Sequence, residues 1–206
     1  MYMRVLMMLS CAALSACTLI KPPATVTMQS YVLELPASDQ AIKPLHRQAA
    51  TLVVAELRPR PGYDSSRMAY VKRDFALDYF ANSQWADTPA RMLQPLLASA
   101  LDATGHYSAV LRAPAPITTD LRLDAEIVRL EQVFTTQPSR MRISLRVLLT
   151  NAHKGQVLGQ REFNADVPVT SEDAYGGVRA LNQVLAPLLH DVAAFCVELS
   201  PASSTP

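Results

Sequence analysis

Met141-Arg-Ile-Ser-Leu-Arg-Val-Leu-Leu149 is the stretch from which the fold can be read. Met141, Ile143, Leu145, Val147 and Leu149 fall on one side of an extended chain, and Arg142, Ser144 and Arg146 on the other. That alternation predicts a strand with one face in a core and one in water. Leu121, Leu123, Ala125 and Ile127 repeat the pattern upstream; Val157, Phe163, Ala165 and Val167 repeat it downstream. If Ala152–Gln156 forms the connecting loop, Leu145 lies opposite Phe163 and Ile143 opposite Ala165. The same register sets Arg146 against Glu162 and Arg142 against Asp166. Hydrophobic and charged patterns select one pairing, and a slip of one residue breaks both. Beyond Ile127 the phase reverses, with Val128 and Leu130 apolar, which predicts a bulge.

The rest of the body reads outward from this meander. Tyr31–Leu35 alternates up to Pro36 and reads as a short strand. Thr51–Leu57 is a nearly continuous apolar run, as in strands buried on both faces. Arg58-Pro-Arg-Pro-Gly-Tyr63 should stop that strand, since its prolines lack amide donors and Gly62 favours a turn. Met68–Val71, Phe75–Phe80 and His106–Leu111 are further strand candidates. Thr88–Thr104 has helical spacing of apolar residues, with Asp87 or Thr88 as cap, Pro89 in the first turn and Gly105 at the end. Pro95 predicts a kink there, or a helix that begins near Arg91. A second helix is expected over Glu172–Glu198, capped by Thr170 or Ser171, weakened in its first turns by Gly176 and Gly177 and bent at Pro187. The expected architecture is one α/β domain: a mixed sheet with an antiparallel three-stranded C-terminal meander and two main helices packed on it.

Composition narrows the chemistry. The chain has 19 Lys and Arg against 18 Asp and Glu, which gives no electrostatic case for nucleic acid. His46, His106, His153 and His190 lack ligand-like spacing, so no metal or other cofactor is expected. No Gly-x-Ser-x-Gly elbow or phosphate-binding glycine loop occurs. Asp120, Asp124 and Glu126 alternate with apolar residues opposite arginines, which suits a charge-paired sheet face better than a pair of acid catalysts. Asp64-Ser65-Ser66-Arg67 offers a serine without a base at fixed distance. A non-catalytic protein is the expectation. Cys196, on an apolar helical face, reads as a buried hydrophobe.

The N-terminus sets the compartment. Arg4 precedes an apolar run, Val5–Leu14, in the order of a secretory signal peptide, and the run is short for a membrane span, which needs about 20 residues. Leu14-Ser15-Ala16-Cys17 resembles the bacterial lipobox, which implies lipidation of Cys17 after removal of residues 1–16. Thr18, by resemblance to the lipoprotein sorting rule, implies the outer membrane, periplasmic face. Residues 17–30 read as the acylated cysteine and a tether, 31–199 as the domain, and 200–206 as a disordered tail. The thirteen tether positions after Cys17 span roughly 40 Å when extended.

The run "RPRPGYDSSRMAYVKRDFALDYFANSQWADTPARMLQPLLASAL", Arg58–Leu101, followed by "GHYSAVL" and "LRLDAEIVRLEQ", resembles the ABC-type transport auxiliary lipoprotein family across nearly all of the mature chain. That resemblance implies a non-catalytic accessory of transporters with mammalian cell entry (MCE) domains, which move phospholipid or other hydrophobic molecules between membranes. Its implied partners are an MCE-domain protein and, in a homo-oligomeric ring, further copies of itself. Tyr70, Tyr79, Trp85, Asp87 and Pro89 carry over as family signature. Trp85 is expected to pack under the helix start, as large aromatics commonly do. Arg58, Arg60 and Arg67 are expected either on a solvated loop or on a partner-docking one. Two rival readings are a free-standing lipid or lipopolysaccharide carrier, which needs an apolar cavity, and a structural lipoprotein that binds peptidoglycan.

Overall fold

The computed structural model describes residues 27–35 and 50–200. Along the chain run β1 (Gln29–Tyr31), β2 (Thr51–Val54), β3 (Arg58–Pro59), β4 (Arg67–Val71), β5 (Asp78–Trp85), α1 (Pro89–Ala103), β6 (Ala109–Arg112), β7 (Leu121–Val133), β8 (Arg140–Asn151), β9 (Gln156–Pro168) and α2 (Ala174–Leu199). Cys17, the tether up to Val26, Pro36–Ala49 and residues 201–206 lie outside the described part.

β7 is the axis of a single mixed sheet. One of its edges pairs along its length with β8, which in turn pairs with β9, all antiparallel. On the other edge β2, β3 and β4 follow one another, each parallel to β7. β6 extends the sheet beyond β2, and β5 then β1 extend it beyond β4. The meander register is the one its two alternations select: Leu145 faces Phe163, Ile143 Ala165, Arg146 Glu162 and Arg142 Asp166. The predicted bulge falls between Ile127 and Arg129.

Several elements differ from the sequence-based expectation. The Arg-Pro-Arg-Pro segment still contributes a strand, because in the parallel pairing the amide of Arg60 donates to the carbonyl of Ile127 at 2.9 Å. Pro59, opposite Ile127, is the residue whose missing N–H that ladder does not call on. The first strand spans Gln29–Tyr31 instead of Tyr31–Leu35, since its partner residues on β5 end at Trp85. Residues 32–35 leave the sheet to meet α2, where the side chain of Asn182 accepts from the amide of Glu34 and donates to the carbonyl of Val32. The strand expected at Phe75–Phe80 begins at Asp78 and continues to Trp85, with Phe75 in the preceding turn. A second bulge, between Leu149 and Thr150, was not foreseen.

The helices cover the apolar side. α1 packs on β6 and on α2, and α2 on β8 and β9. α1 runs unbroken through Pro95, with Pro89 buried at its start and Gly105, at φ 64°, past its end. α2 is long and apolar enough to cross a bilayer, yet Leu181, Leu185, Leu189, Val192 and Cys196 are spent on the core. Its cap is neither Thr170 nor Ser171 but Asp173, whose carboxylate accepts from the amide of Gly176 at 2.7 Å and from the hydroxyl of Ser171 at 2.8 Å. Gly176 and Gly177 have a packing role: a Cβ on Gly176 would lie 2.1 Å from the carbonyl oxygen of Ser171, and one on Gly177 2.5 Å from Oε1 of Gln132. The helix start is thus wedged against its own cap and against β7.

The amide of Gly176, followed by the Ser171 hydroxyl, holds the Asp173 carboxyl below its ordinary range. A lowered folded value means that the cap's contribution is complete above the unfolded carboxylate value of about 3.9 and is lost as pH falls through the folded one. Asp173→Ala should therefore cost about 1 kcal/mol in urea unfolding at pH 7, and the deficit should shrink below pH about 4 as the wild-type carboxylate protonates. Asp173→Asn, which keeps an acceptor, should lose less.

Candidate functional site

The wet face of the sheet carries a row of charge that crosses four strands. Arg60, just past β3, bonds Glu126 on β7 at 2.9 Å; Arg146 on β8 bonds Glu126 at 2.9 Å and Glu162 on β9 at 2.8 Å. Arg140 and Arg142 share Asp166. Asp124 is paired at 2.9 Å with Arg122 of its own strand, and Asp120 accepts from the amide and hydroxyl of Thr51 and meets His153 at 3.2 Å. Hydrogen bonding by Arg60, above all, holds Glu126 below the ordinary glutamate range. For Asp166 burial pushes the other way, and Arg140 and Arg142 together outweigh it. Every carboxylate considered as a candidate acid therefore has a basic or hydrogen-bonding partner.

The residues singled out in the sequence divide into three groups. Arg60, Arg67 and Tyr79 hold the loop after β3. The Arg67 guanidinium lies 3.6 Å from the centroid of the Tyr79 ring, and the Tyr79 hydroxyl donates to the carbonyl of Gly62 at 3.1 Å. Tyr63, in the same loop, donates to buried Glu131, and burial together with that carboxylate drives its pKa strongly upward. Gly62 takes φ 96°, where a Cβ would also lie 2.7 Å from Leu77. The loop is clamped at three points and so has a fixed backbone, and Arg58, exposed at the start of β3, lies just ahead of it.

Trp85, Asp87 and Pro89 form the second group, at the passage from β5 into α1. Trp85 is 2 % exposed, a core residue as expected. Its amide donates to the carbonyl of Ser66, and the next amide, of Ala86, to that of Tyr31. Asp87 accepts from the amide of Thr88 at 2.7 Å and lies 3.4 Å from Arg91, so it serves the helix start without being its cap residue. Tyr70 belongs to the third group, an edge-to-face cluster with Phe80 (4.9 Å) and Phe134 (5.8 Å) at the base of the β4–β5 hairpin. The sequence-based reading missed Phe134 and the tip beyond it: Phe75 there is fully exposed (108 %). The residue opens the apolar-rich run Phe75–Phe80, which reads as strand, and no glycine, proline or asparagine marks the turn.

An open groove of ≈ 870 Å³ lies between α1 and β6, lined by Gln94, Ser99, Asp102, Arg112 and Pro114 among others. Gln94 bridges its floor by donating to the carbonyls of Val54 and Ala113. The lining mixes these polar groups with Pro95, Val110 and Leu111 and is open to solvent, unlike the enclosed apolar cavity that a carrier needs. Among the described residues no group of three or more His, Cys, Asp or Glu side chains could hold a metal ion. Cys196 is buried, and its thiol pKa is pushed up to about 12 by that burial, so it is inert as a nucleophile.

Comparison with known proteins follows the same outline. Among solved structures, protein XCC0632 from Xanthomonas campestris superposes with a TM-score of 0.68 at 21% identity, covering 84% of this chain and 94% of that one. An uncharacterized protein superposes with a TM-score of 0.63 at 19% identity, covering 84% and 99%. Both establish the fold. No curated protein matches by sequence. The family model described as ABC-type transport auxiliary lipoprotein component matches residues 31–193, from β1 through most of α2. The chain belongs to the ABC-type transport auxiliary lipoprotein component family.

Proposed function

We propose that this protein is a periplasm-facing lipoprotein, acylated at Cys17 and held on the outer membrane, that serves as a non-catalytic accessory of an MCE-type intermembrane lipid transport system by docking its MCE component. The observation that carries the reading is the family match over residues 31–193, joined to a lipobox-like junction upstream of it. Two features of the fold support a docking role over a carrying one. Most of the apolar residues of α1, α2 and the sheet belong to one core, and the groove beside α1 is open and of mixed polarity. β3 and the clamped loop after it offer Arg58 and Arg60 on a rigid frame, and Arg60 is already engaged by Glu126, which leaves Arg58 as the freer contact.

Affinity capture of the full-length tagged protein from detergent-solubilised envelopes, read by mass spectrometry, tests this. The expected result is co-recovery of an MCE-domain protein. Capture without any MCE protein, with a lipid bound stoichiometrically to the domain, would turn the reading towards a carrier.

A further inference from the structure

Phe75 is the most exposed large hydrophobic side chain in the described body, and its backbone is held at φ 64°. The turn around it is closed by the amide of Ala76 donating to the carbonyl of Arg73. In such a turn a positive φ at this position is ordinarily supplied by glycine or asparagine. A phenylalanine there is an outlier, of the kind concentrated where a loop has work to do. The turn lifts the ring clear of the Tyr70, Phe80 and Phe134 cluster beneath it, to which it adds no contact.

The topology says what this ring faces. β1 runs parallel to β5, with Gln29 beside Ser83 and Tyr31 beside Trp85. The chain therefore enters the sheet from the end at which β5 begins, and that is the end closed by the β4–β5 hairpin. Phe134, which follows β7, lies at the same end, since Val71 pairs with Val133. From the level of Ser83 to that of Asp78 is five residues of strand, roughly 17 Å. The segment between Cys17 and Gln29 spans roughly 36 Å when extended, so an anchor at Cys17 allows the tip to reach the bilayer. The β8–β9 turn lies at the far end of β7, roughly 40 Å away at the strand rise.

We infer that the Arg73–Ala76 turn is a membrane-contacting tip, whose Phe75 ring enters the headgroup and acyl boundary of the bilayer that holds the lipid anchor. This rests on the proposed acylation of Cys17. The charges of the tip do not select anionic lipid: Lys72 and Arg73 are offset by Asp74 and Asp78, and Lys72 is already turned over the Tyr70 ring at 5.0 Å. The attraction is therefore apolar, that of a single aromatic ring buried about 5–10 Å into the interface. Such a ring suits a fluid lipid surface, where a protein partner would call for a broader apolar patch. The contact fixes the tilt of the body, so that the β8–β9 end points away from the lipid.

The test uses full-length acylated protein reconstituted into phosphatidylethanolamine and phosphatidylglycerol vesicles containing chain-brominated phosphatidylcholine. Phe75→Trp is compared with Val157→Trp, at the far end, each against the constant emission of buried Trp85. The Trp introduced by Phe75→Trp should be blue-shifted and lose most of its emission to bromine, with no dependence on the anionic fraction, while that of Val157→Trp is untouched. Emission that bromine leaves intact and aqueous acrylamide quenches freely would overturn the inference. Emission shielded from both quenchers would also overturn it, since another protein surface or a second copy would then cover the tip. Intact mass of the same sample separates the two levels: an acylated chain with an unquenched tip defeats only the membrane contact, whereas an unacylated chain defeats the anchor and the contact with it.

Discussion

Replacement of Cys17 by Ser should move the protein from the membrane fraction to the soluble fraction of the envelope almost completely. Each buried methylene of a lipid anchor adds about 0.8 kcal/mol, and one myristoyl chain alone gives only marginal binding, whereas several chains hold permanently. Without the thiol no chain can be attached. What is left is the Phe75 ring, whose burial contributes roughly 1.5–3 kcal/mol at best, far short of stable attachment. The folded body should be unaffected, because β1 begins at Gln29, twelve residues beyond the anchor. The measurement is fractionation of envelopes with intact mass of the product. A variant that remains in the membrane fraction would mean that something other than acylation anchors the chain, and capture of the MCE protein would then have to be explained without it. If acylation does anchor it, the variant should lose most co-recovery of the proposed partner from envelopes, since the anchor confines the body to a membrane surface and raises its effective concentration there.

How legible the fold was depended on how many independent patterns bore on each element. β8 and β9 carry two, an apolar alternation and a charge alternation on the opposite face, and their mutual register, like the bulge after Ile127 in β7, follows from the residues alone. β2 and β4 have only their own hydrophobicity, and β3, Arg58–Pro59, lacks even that. Nothing in Leu52 or Ala69 states that each lies parallel to a different section of β7, because parallel partners distant in sequence leave no local signal. Pro59 illustrates the limit: it is a strand breaker by rule, yet it is accommodated where the ladder needs no donor from it. The cap of α2 was misassigned because Thr170, Ser171 and Asp173 are all competent cap residues, and tertiary packing of Gly176 and Gly177 chose among them. Of the candidate surface, Arg60 and Tyr79 were legible as residues but not as partners of Glu126 and Gly62. Phe75 was hidden inside an apparent strand.

Trp85→Ala should be the most destabilising single change in the signature region, costing about 3–5 kcal/mol by loss of burial and the cavity left behind. The residue is almost wholly enclosed in the main core cluster, at the point where β5 is held on both edges, by β4 and by β1, just before α1. For a domain whose total stability is about 5–15 kcal/mol, that loss threatens folding at growth temperature. At roughly 2–4 °C per kcal/mol for a chain of this size, the melting midpoint should fall by roughly 6–20 °C. Trp85→Phe, which keeps most of the volume, should lose much less. The contrast separates core from interface. An interface anchor truncated to alanine leaves the isolated domain as stable as before and weakens capture of the partner. A core residue does the reverse, so that any partner recovered should scale with the amount of folded protein. Midpoints for both variants, set beside capture per unit of soluble protein, decide between them. A stable alanine variant that no longer recovers the partner would move Trp85 from the core to the docking surface, and would require the buried ring to be uncovered in the assembled complex.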